Sequence, residues 1–148
     1  MPTADAAPRV AVLDASVAVR WVVAEAGSDE AAALLESDLS WITPRLLLTE
    51  VASALRRKVV DSALAPAEAG QSLDALLQAV ADGVVRLVDD ERLVAQALLL
   101  AISLHHKVPD CLYLALAERE GAAIATADAR LSRLARSRGV TVLRVPHA

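Results

Sequence analysis

Arg9-Val10-Ala11-Val12-Leu13-Asp14-Ala15-Ser16 is the stretch on which the reading of this 148-residue chain turns. An apolar run from Val10 to Leu13 stops abruptly at an acid and, two residues on, a hydroxyl. A short, valine-containing run bounded by polar residues reads as a buried strand of a parallel sheet. In open parallel sheets, ligands sit outside the carboxyl ends of the strands. Asp14 is therefore expected at the rim where chemistry is done. Its meaning depends on which later residues reach the same rim.

Outward from this strand, the chain alternates strand and helix signals. Residues 1–8 carry Pro2 and Pro8 without periodicity and read as a loose tail. Residues 9–148 read as a single domain, with no internal repeat or linker. Ser16 is expected to cap a short helix through Val17, Arg20 and Trp21, and Ser28-Asp29-Glu30 to open a second helix to about Ser37. Trp41-Ile42-Thr43 reads as a strand. Pro44 then starts a helix to about Val59, with Leu47, Val51, Ala54, Leu55 and Val59 at helical spacing. A helix follows from Leu64-Ala65-Pro66 to Ala81, stopped by Gly83. Val84 to Val88 is the third strand, and a helix from Asp89 and Asp90 reaches roughly His105. Asp110 to Glu120 is helical, Ala122 to Thr126 a strand, Asp128 to about Ser137 a helix, and Val140 to Val145 the last strand. This alternation predicts an α/β fold with a mainly parallel sheet of about five strands covered on both faces.

Composition narrows the function. Hydrophobic residues make up 55% but aromatics only 2%, so the core must be Leu, Val and Ala. The apolar surplus in so small a chain favours self-association or a partner peptide. The helices from Ser28 to Ser37 and from Pro44 to Val59 are the expected contact surfaces. No run reaches the roughly 18 apolar residues of a membrane span. The N-terminus lacks a signal-peptide pattern, and the lone Cys111 fits a reducing cytoplasm. A net charge of −4 argues against a protein that coats nucleic acid, but not against an enzyme that binds it locally.

Four acids need an explanation. Glu50 lies among Leu46, Leu47, Val51 and Ala54, where an acid must be paired, protonated, bound to a cation or at the stripe's edge in water. Asp110 and Asp128 each precede a helix and suit an N-cap. Asp128 also follows the strand Ala123-Ile124-Ala125-Thr126, as Asp14 follows its own. Taken together, all four can reach one rim, and no basic residue beside them is seen to neutralise them. Carboxylates that close need positive charge, which a hard divalent cation supplies. The remaining acids, Glu25 and Asp61 among them, read as helix starts or solvated faces. Arg130, Arg133 and Arg136 recur every three residues and suit phosphate or partner contact. Arg56, Arg57 and Lys58 read as helix-end cations, and His105 and His106 as a helix end rather than a metal site. Trp21, Trp41 and Tyr113 are the whole aromatic supply, too little for reading bases by stacking on aromatic side chains.

Val12-Leu13-Asp14-Ala15-Ser16, Thr49-Glu50-Val51-Ala52-Ser53-Ala54-Leu55, Pro109-Asp110-Cys111-Leu112-Tyr113-Leu114-Ala115-Leu116-Ala117 and Thr126-Ala127-Asp128-Ala129-Arg130-Leu131 resemble the successive motifs of PIN-domain ribonucleases. The nearest branch is that of the VapC toxins of type II toxin–antitoxin pairs. The resemblance spans nearly the whole chain, with Ser53 where many relatives carry asparagine and Pro109 where an aromatic is frequent. It implies a PIN-like α/β/α sandwich with strand order 3-2-1-4-5. It implies a magnesium-dependent endoribonuclease, with manganese as substitute, whose metal is held by Asp14, Glu50, Asp110 and Asp128 and supported by Ser16 and Thr126. RNA is then the substrate, and a cognate antitoxin and a second copy are the partners. Two other functions compete. Asp14 could be the nucleophile of a small-substrate phosphoryl-transfer enzyme, although a haloacid-dehalogenase-like site would want an Asp where Ser16 stands. The chain could instead be a protein-binding module with a spent site.

Overall fold

The computed structural model describes residues 9–146, so the expected tail at 1–8 lies outside the described residues. Five strands form one sheet in the order β3-β2-β1-β4-β5, every neighbouring pair parallel. They are β1 (Val10–Leu13), β2 (Ser40–Pro44), β3 (Val85–Val88), β4 (Ala123–Thr126) and β5 (Val142–Arg144). Seven helices connect them: α1 (Ala15–Val22), α2 (Ser28–Leu35), α3 (Leu46–Val60), α4 (Pro66–Ala81), α5 (Val94–Leu104), α6 (Val108–Glu120) and α7 (Ala129–Ser137). This is the architecture and strand order expected from the sequence.

The order reverses at β1. The chain steps from β1 to β2 and β3 in one direction, then crosses back to β4 and β5 on the other side. Right-handed crossovers place α1 to α4 on one face and α5 to α7 on the other. The reversal between β1 and β4 opens a crevice outside their carboxyl ends, the usual ligand position in such sheets. Asp14 follows β1 and Asp128 follows β4 by two residues, so both acids stand at this crevice. Among the described residues no helix is long and apolar enough to cross a membrane.

The core is aliphatic, as the composition requires. Ala11, Val12, Leu13, Ile124 and Ala125 are fully buried in the two central strands. From Asp110 to Ala117 every residue of α6 is buried, as suits a helix that is apolar nearly all round and lies against the sheet centre. Tyr113 is the largest fully buried side chain. Gly27 sits at φ +89°, and a Cβ there would lie 2.5 Å from the Pro146 carbonyl oxygen. Only glycine lets the segment after β5 close on the α1–α2 turn.

Several boundaries differ from the sequence reading. Pro44 ends β2, paired with Val88, and α3 starts at Leu46. A strand's last residue can lack an N–H donor without breaking the ladder that precedes it. Ser16 lies inside α1, whose N-cap is Asp14. The helix expected from Asp89 to His105 is a 3-10 turn, Asp90–Arg92, followed by α5. That turn is held by the start of α3: the Asp90 carboxylate accepts from the Leu46 N–H at 3.2 Å and Arg45 pairs with Asp89 at 2.6 Å. Leu93 is fully buried at the break.

Candidate active site

Asp14 is where β1 hands over to α1, and two hydroxyls fix its carboxylate. Ser16 Oγ donates to Asp14 Oδ2 at 2.5 Å, and Thr126 Oγ1 donates to the same oxygen at 2.8 Å. Each hydroxyl is oriented in turn by backbone past β4. Ser16 Oγ accepts from the Ala127 N–H and Thr126 Oγ1 from the Asp128 N–H, both at 2.9 Å. The ends of the two central strands are thus laced through Asp14. Ser16 therefore serves as a bridge from α1 to the loop after β4.

Asp14, Glu50, Asp110 and Asp128 all line one cavity of about 1050 Å³, together with Ser16. Glu50 comes from α3, and its Oε1 accepts from the buried Tyr113 hydroxyl at 2.5 Å. Asp110 is not a cap. Lys107 is the N-cap of α6, and Asp110 lies three residues inside, nearly buried. Its Oδ2 meets His106 Nε2 at 2.7 Å, with Lys107 Nζ at 3.9 Å. The expectation that no basic group stands beside the acids therefore fails at Asp110. Asp128 is a true N-cap: its Oδ1 accepts from the Arg130 and Leu131 N–H groups at 2.7 and 3.2 Å.

Electrostatics separates three of these acids from the fourth. Burial pushes the Asp14 carboxyl up to about 6, and the charges of Glu50 and Asp110 add to that, against the pull of the two hydroxyls. Burial also raises Glu50, with the Asp110 charge adding and the Tyr113 hydroxyl opposing. The Tyr113 hydroxyl is raised by burial and by the charges of Asp14 and Glu50, so it stays a donor. The charge of Asp110 thus acts on both Asp14 and Glu50, and that of Glu50 on Asp14.

The same cavity also carries positive charge. Glu25 and Asp61, expected to be merely solvated, line it with Arg20, Arg57, Lys58 and Arg144. Glu25 pairs with Lys58 and lies 3.6 Å from Arg20, so this acid and these cations satisfy one another. Arg57 and Lys58 therefore belong to the site rather than only to a helix end. Of the α7 arginines, Arg130 lines a neighbouring cavity, while Arg133 and Arg136 are exposed and line neither.

The donor set suits a hard divalent cation. Among the described residues, Asp14 Oδ1, Glu50 Oε2, Asp110 Oδ1 and Asp128 Oδ2 take no protein hydrogen bond. Each acid keeps one oxygen for a ligand. Among the described residues no three carboxylate, imidazole or thiol groups already stand around a common point. Magnesium asks less than that, since it commonly binds through one or two carboxylates and several waters. The buried, mutually repelling trio is the chemistry that such an ion would relieve.

Tyr113 and Lys107 are site residues to which the sequence reading gave no role, and His106 is one that it read as a helix end. His106 precedes Asp110 by four residues but stands before the Lys107 N-cap, so their contact is made across the start of α6 and not along a helical face. Tyr113 meets Glu50 from 63 positions away, and nothing local signals that.

A PIN domain family model matches residues 11–137. Similar solved structures include a protein of Pyrobaculum aerophilum, 20% identical over 95% of this chain and 92% of that one, with a TM-score of 0.67. A sarcin-ricin loop cleaving VapC toxin of Mycobacterium tuberculosis is 18% identical over 90% and 98%, with a TM-score of 0.70. A member of the VapBC family of toxin–antitoxin systems, VapBC-5 of the same organism, is 25% identical over 93% and 100%, with a TM-score of 0.57. No curated protein matches the chain. With the motif series in order, the strand order realised and the family model spanning most of its length, this chain belongs to the PIN-domain family.

Proposed function

We propose that this chain is a magnesium-dependent endoribonuclease, with manganese as substitute, and the toxin of a type II toxin–antitoxin pair. One observation carries the reading: Asp14, Glu50 and Asp110, from three separate motifs, line one cavity, where burial and the Asp110 charge hold the carboxyls of Asp14 and Glu50 above their ordinary values. Membership of a family that is generally nucleolytic supports it.

Asp14, Glu50, Asp110 and Asp128 would hold the ion through their free oxygens. When bound, it would lower the pKa of a water and shield the phosphate. In hydrolysis the water oxygen bonds to phosphorus, the bond from phosphorus to the leaving oxygen breaks, and that oxygen takes up a proton. Ser16 and Thr126 fix Asp14 Oδ2 so that the carboxylate does not swing. Tyr113 does the same for Glu50, and His106 for Asp110. The cations Arg57, Lys58 and Arg144 draw in the phosphate chain that the acids alone would repel. A phospho-aspartyl mechanism at Asp14 is disfavoured, because Ser16 stands where such a site would want a second acid.

The test is RNA cleavage with magnesium, with manganese and with chelator. Cleavage restored by either ion and abolished by chelator is expected. Metal-independent cleavage, or none of any RNA with either ion, would overturn the reading.

The protein is further proposed to be a cytoplasmic homodimer that binds an antitoxin segment. The apolar surplus emerges mainly on α5, where Val94, Leu98, Leu99 and Ile102 are exposed. The helices expected to make contact, α2 and α3, expose only Leu35 and Val60 among the large apolar residues described. Structural likeness to VapBC assemblies supports an antitoxin partner. Light scattering should give a dimer at micromolar concentration, shifted toward monomer by Leu99→Glu. A monomeric native protein would defeat this part, and a pull-down from the native operon that recovers no small partner would defeat the other.

A further inference from the structure

We infer that the cavity between the α5–α6 turn and the start of α7 is a basic subsite for single-stranded RNA, seating the backbone beside the bond that is cut. This rests on the nuclease reading above and deepens it.

The cavity measures about 530 Å³ and is lined by Ala101, Ile102, His105, His106, Lys107 and Arg130. Every polar side chain on that wall is an imidazole or a cation, and among the described residues no carboxylate lines it. That is the opposite of the neighbouring acid cavity, and it runs against the chain's net charge of −4. The two cavities share Lys107. They also adjoin through α7, since Asp128 lines one and Arg130, two residues on, lines the other. A phosphate chain leaving the acid cavity meets these two cations next.

Both cations are available. The Lys107 side chain is 68% exposed, and its 3.9 Å approach to Asp110 is a loose one. Among the described residues the Arg130 guanidinium makes no hydrogen bond or ion pair, only its backbone N–H being engaged, by Asp128. Guanidinium and ammonium groups are the usual phosphate partners.

The same wall offers a seat for a base. His105 ends α5 in the left-handed region at φ 51°, which turns the chain and leaves the imidazole exposed. Ala101 forms an apolar floor beside it. Unstacked bases of single-stranded RNA lie on histidine rings and guanidinium planes as well as on larger aromatics. A chain whose only tyrosine is fully buried has this alternative at hand. Single-stranded RNA is preferred over an acidic peptide because the basic cavity adjoins the proposed cleavage cavity and because its exposed imidazole suits a base, which an acidic peptide does not bring.

The experiment measures binding of a short fluorescent single-stranded RNA in magnesium by anisotropy, in the full chain carrying Asp14→Asn so that turnover does not intervene. Adding His105→Ala and Arg130→Gln together should weaken binding about tenfold, the scale of losing one stacked base. The plot of log affinity against log salt should flatten by about 0.7 for a lost phosphate contact. Arg130→Lys should retain most of the affinity. Arg86→Gln, the same charge loss on the exposed face of edge strand β3, should change little, and thermal melts check that each variant is folded. Unchanged affinity and slope in the double variant would overturn the subsite. So would an equal loss in Arg86→Gln, which would reduce the effect to net charge, or competition by polyglutamate as strong as by RNA, which would mark a protein-docking cavity. The two readings fail separately. A protein that binds RNA through His105 and Arg130 but never cleaves it keeps the subsite and loses the nuclease. A protein that cleaves RNA with binding indifferent to these residues does the reverse.

Discussion

Asp14→Asn should reduce RNA cleavage by about a hundredfold to a thousandfold, the scale at which a single group that stabilises developing charge is lost. The fold should survive it. Asparagine keeps the size of aspartate and one carbonyl oxygen, so Ser16 and Thr126 can still donate to the side chain. What is lost is one negative charge from a buried trio, and with it affinity for the ion. Asp110→Asn should behave alike, because Asp110 lies inside α6 and has no capping role whose retention would hide the effect. Asp128→Asn is the contrast. Its carboxylate caps α7, asparagine caps nearly as well, and its charge is not among those that shift Asp14 or Glu50. Its loss of activity should be the smallest among these variants. Steady-state cleavage across a magnesium titration distinguishes a weakened ion site, rescued by more metal, from a lost one. Full activity in well-folded Asp14→Asn and Asp110→Asn would remove the proposed mechanism.

How much of this could be read from the residues depended on range. The strand Val10–Leu13 and the acid after it were legible because a buried parallel strand writes its burial as a continuous apolar run. The same held for Ala123–Thr126 and Asp128. Together those two strands fix the crevice, since the sheet order reverses between them. Glu50 was legible as an anomaly, an acid in an apolar stripe, but its partner Tyr113 was not, because that contact spans two helices. Asp110 read as a cap because Pro109 looked like a breaker. In fact Pro109 occupies the second position of α6, where its missing N–H is one that the helix would leave unpaired anyway. The Asp89 and Asp90 pair read as a helix start for a similar reason. Asp90 does accept from a helical N–H, but from the start of α3 rather than from its own segment. A one-dimensional pattern records that an acid suits a helix start, not which helix.

The topology also explains why acids so far apart in the chain share a cavity. Asp14 is fixed by a strand end, Glu50 and Asp110 by helices packed beside it, and Asp128 by the next strand end. Each is placed by the burial of its apolar neighbours, and the energy of that burial offsets the repulsion. Leu13, Leu47, Val51, Leu114 and Leu131 are all buried within a few residues of the acids. The cost of burying these carboxylates, with the repulsion added to it, is therefore stored in the folded state and becomes visible when the acids ionise.

That storage gives the second large effect, a metal-free protein that loses stability as pH rises. In the unfolded chain the Asp14 carboxyl has its ordinary value of 3.8; in the folded protein it is pushed up to about 6. Below pH 3.8 both states hold the proton, and the folded state has the full benefit of a neutral side chain. Between the two values the folded state binds more protons than the unfolded one, so raising pH favours unfolding. Above about pH 6 the loss is complete, on the order of 3 kcal/mol for a shift of this size. Glu50, raised in the same direction, adds to it. Other groups titrate over the same range, so the quantity to follow is the difference between native protein and Asp14→Asn. In chelator, denaturant titrations at pH 4 and at pH 7.5 should show the variant gaining on the native protein by about that amount across the interval. Magnesium should reverse the trend, because it binds the ionised acids; at a hundred times its dissociation constant it returns about 2.7 kcal/mol. A native protein whose stability in chelator tracks that of Asp14→Asn at both pH values would mean that the buried carboxylate carries no strain. The argument for a cation in this cavity would then rest on sequence motifs alone.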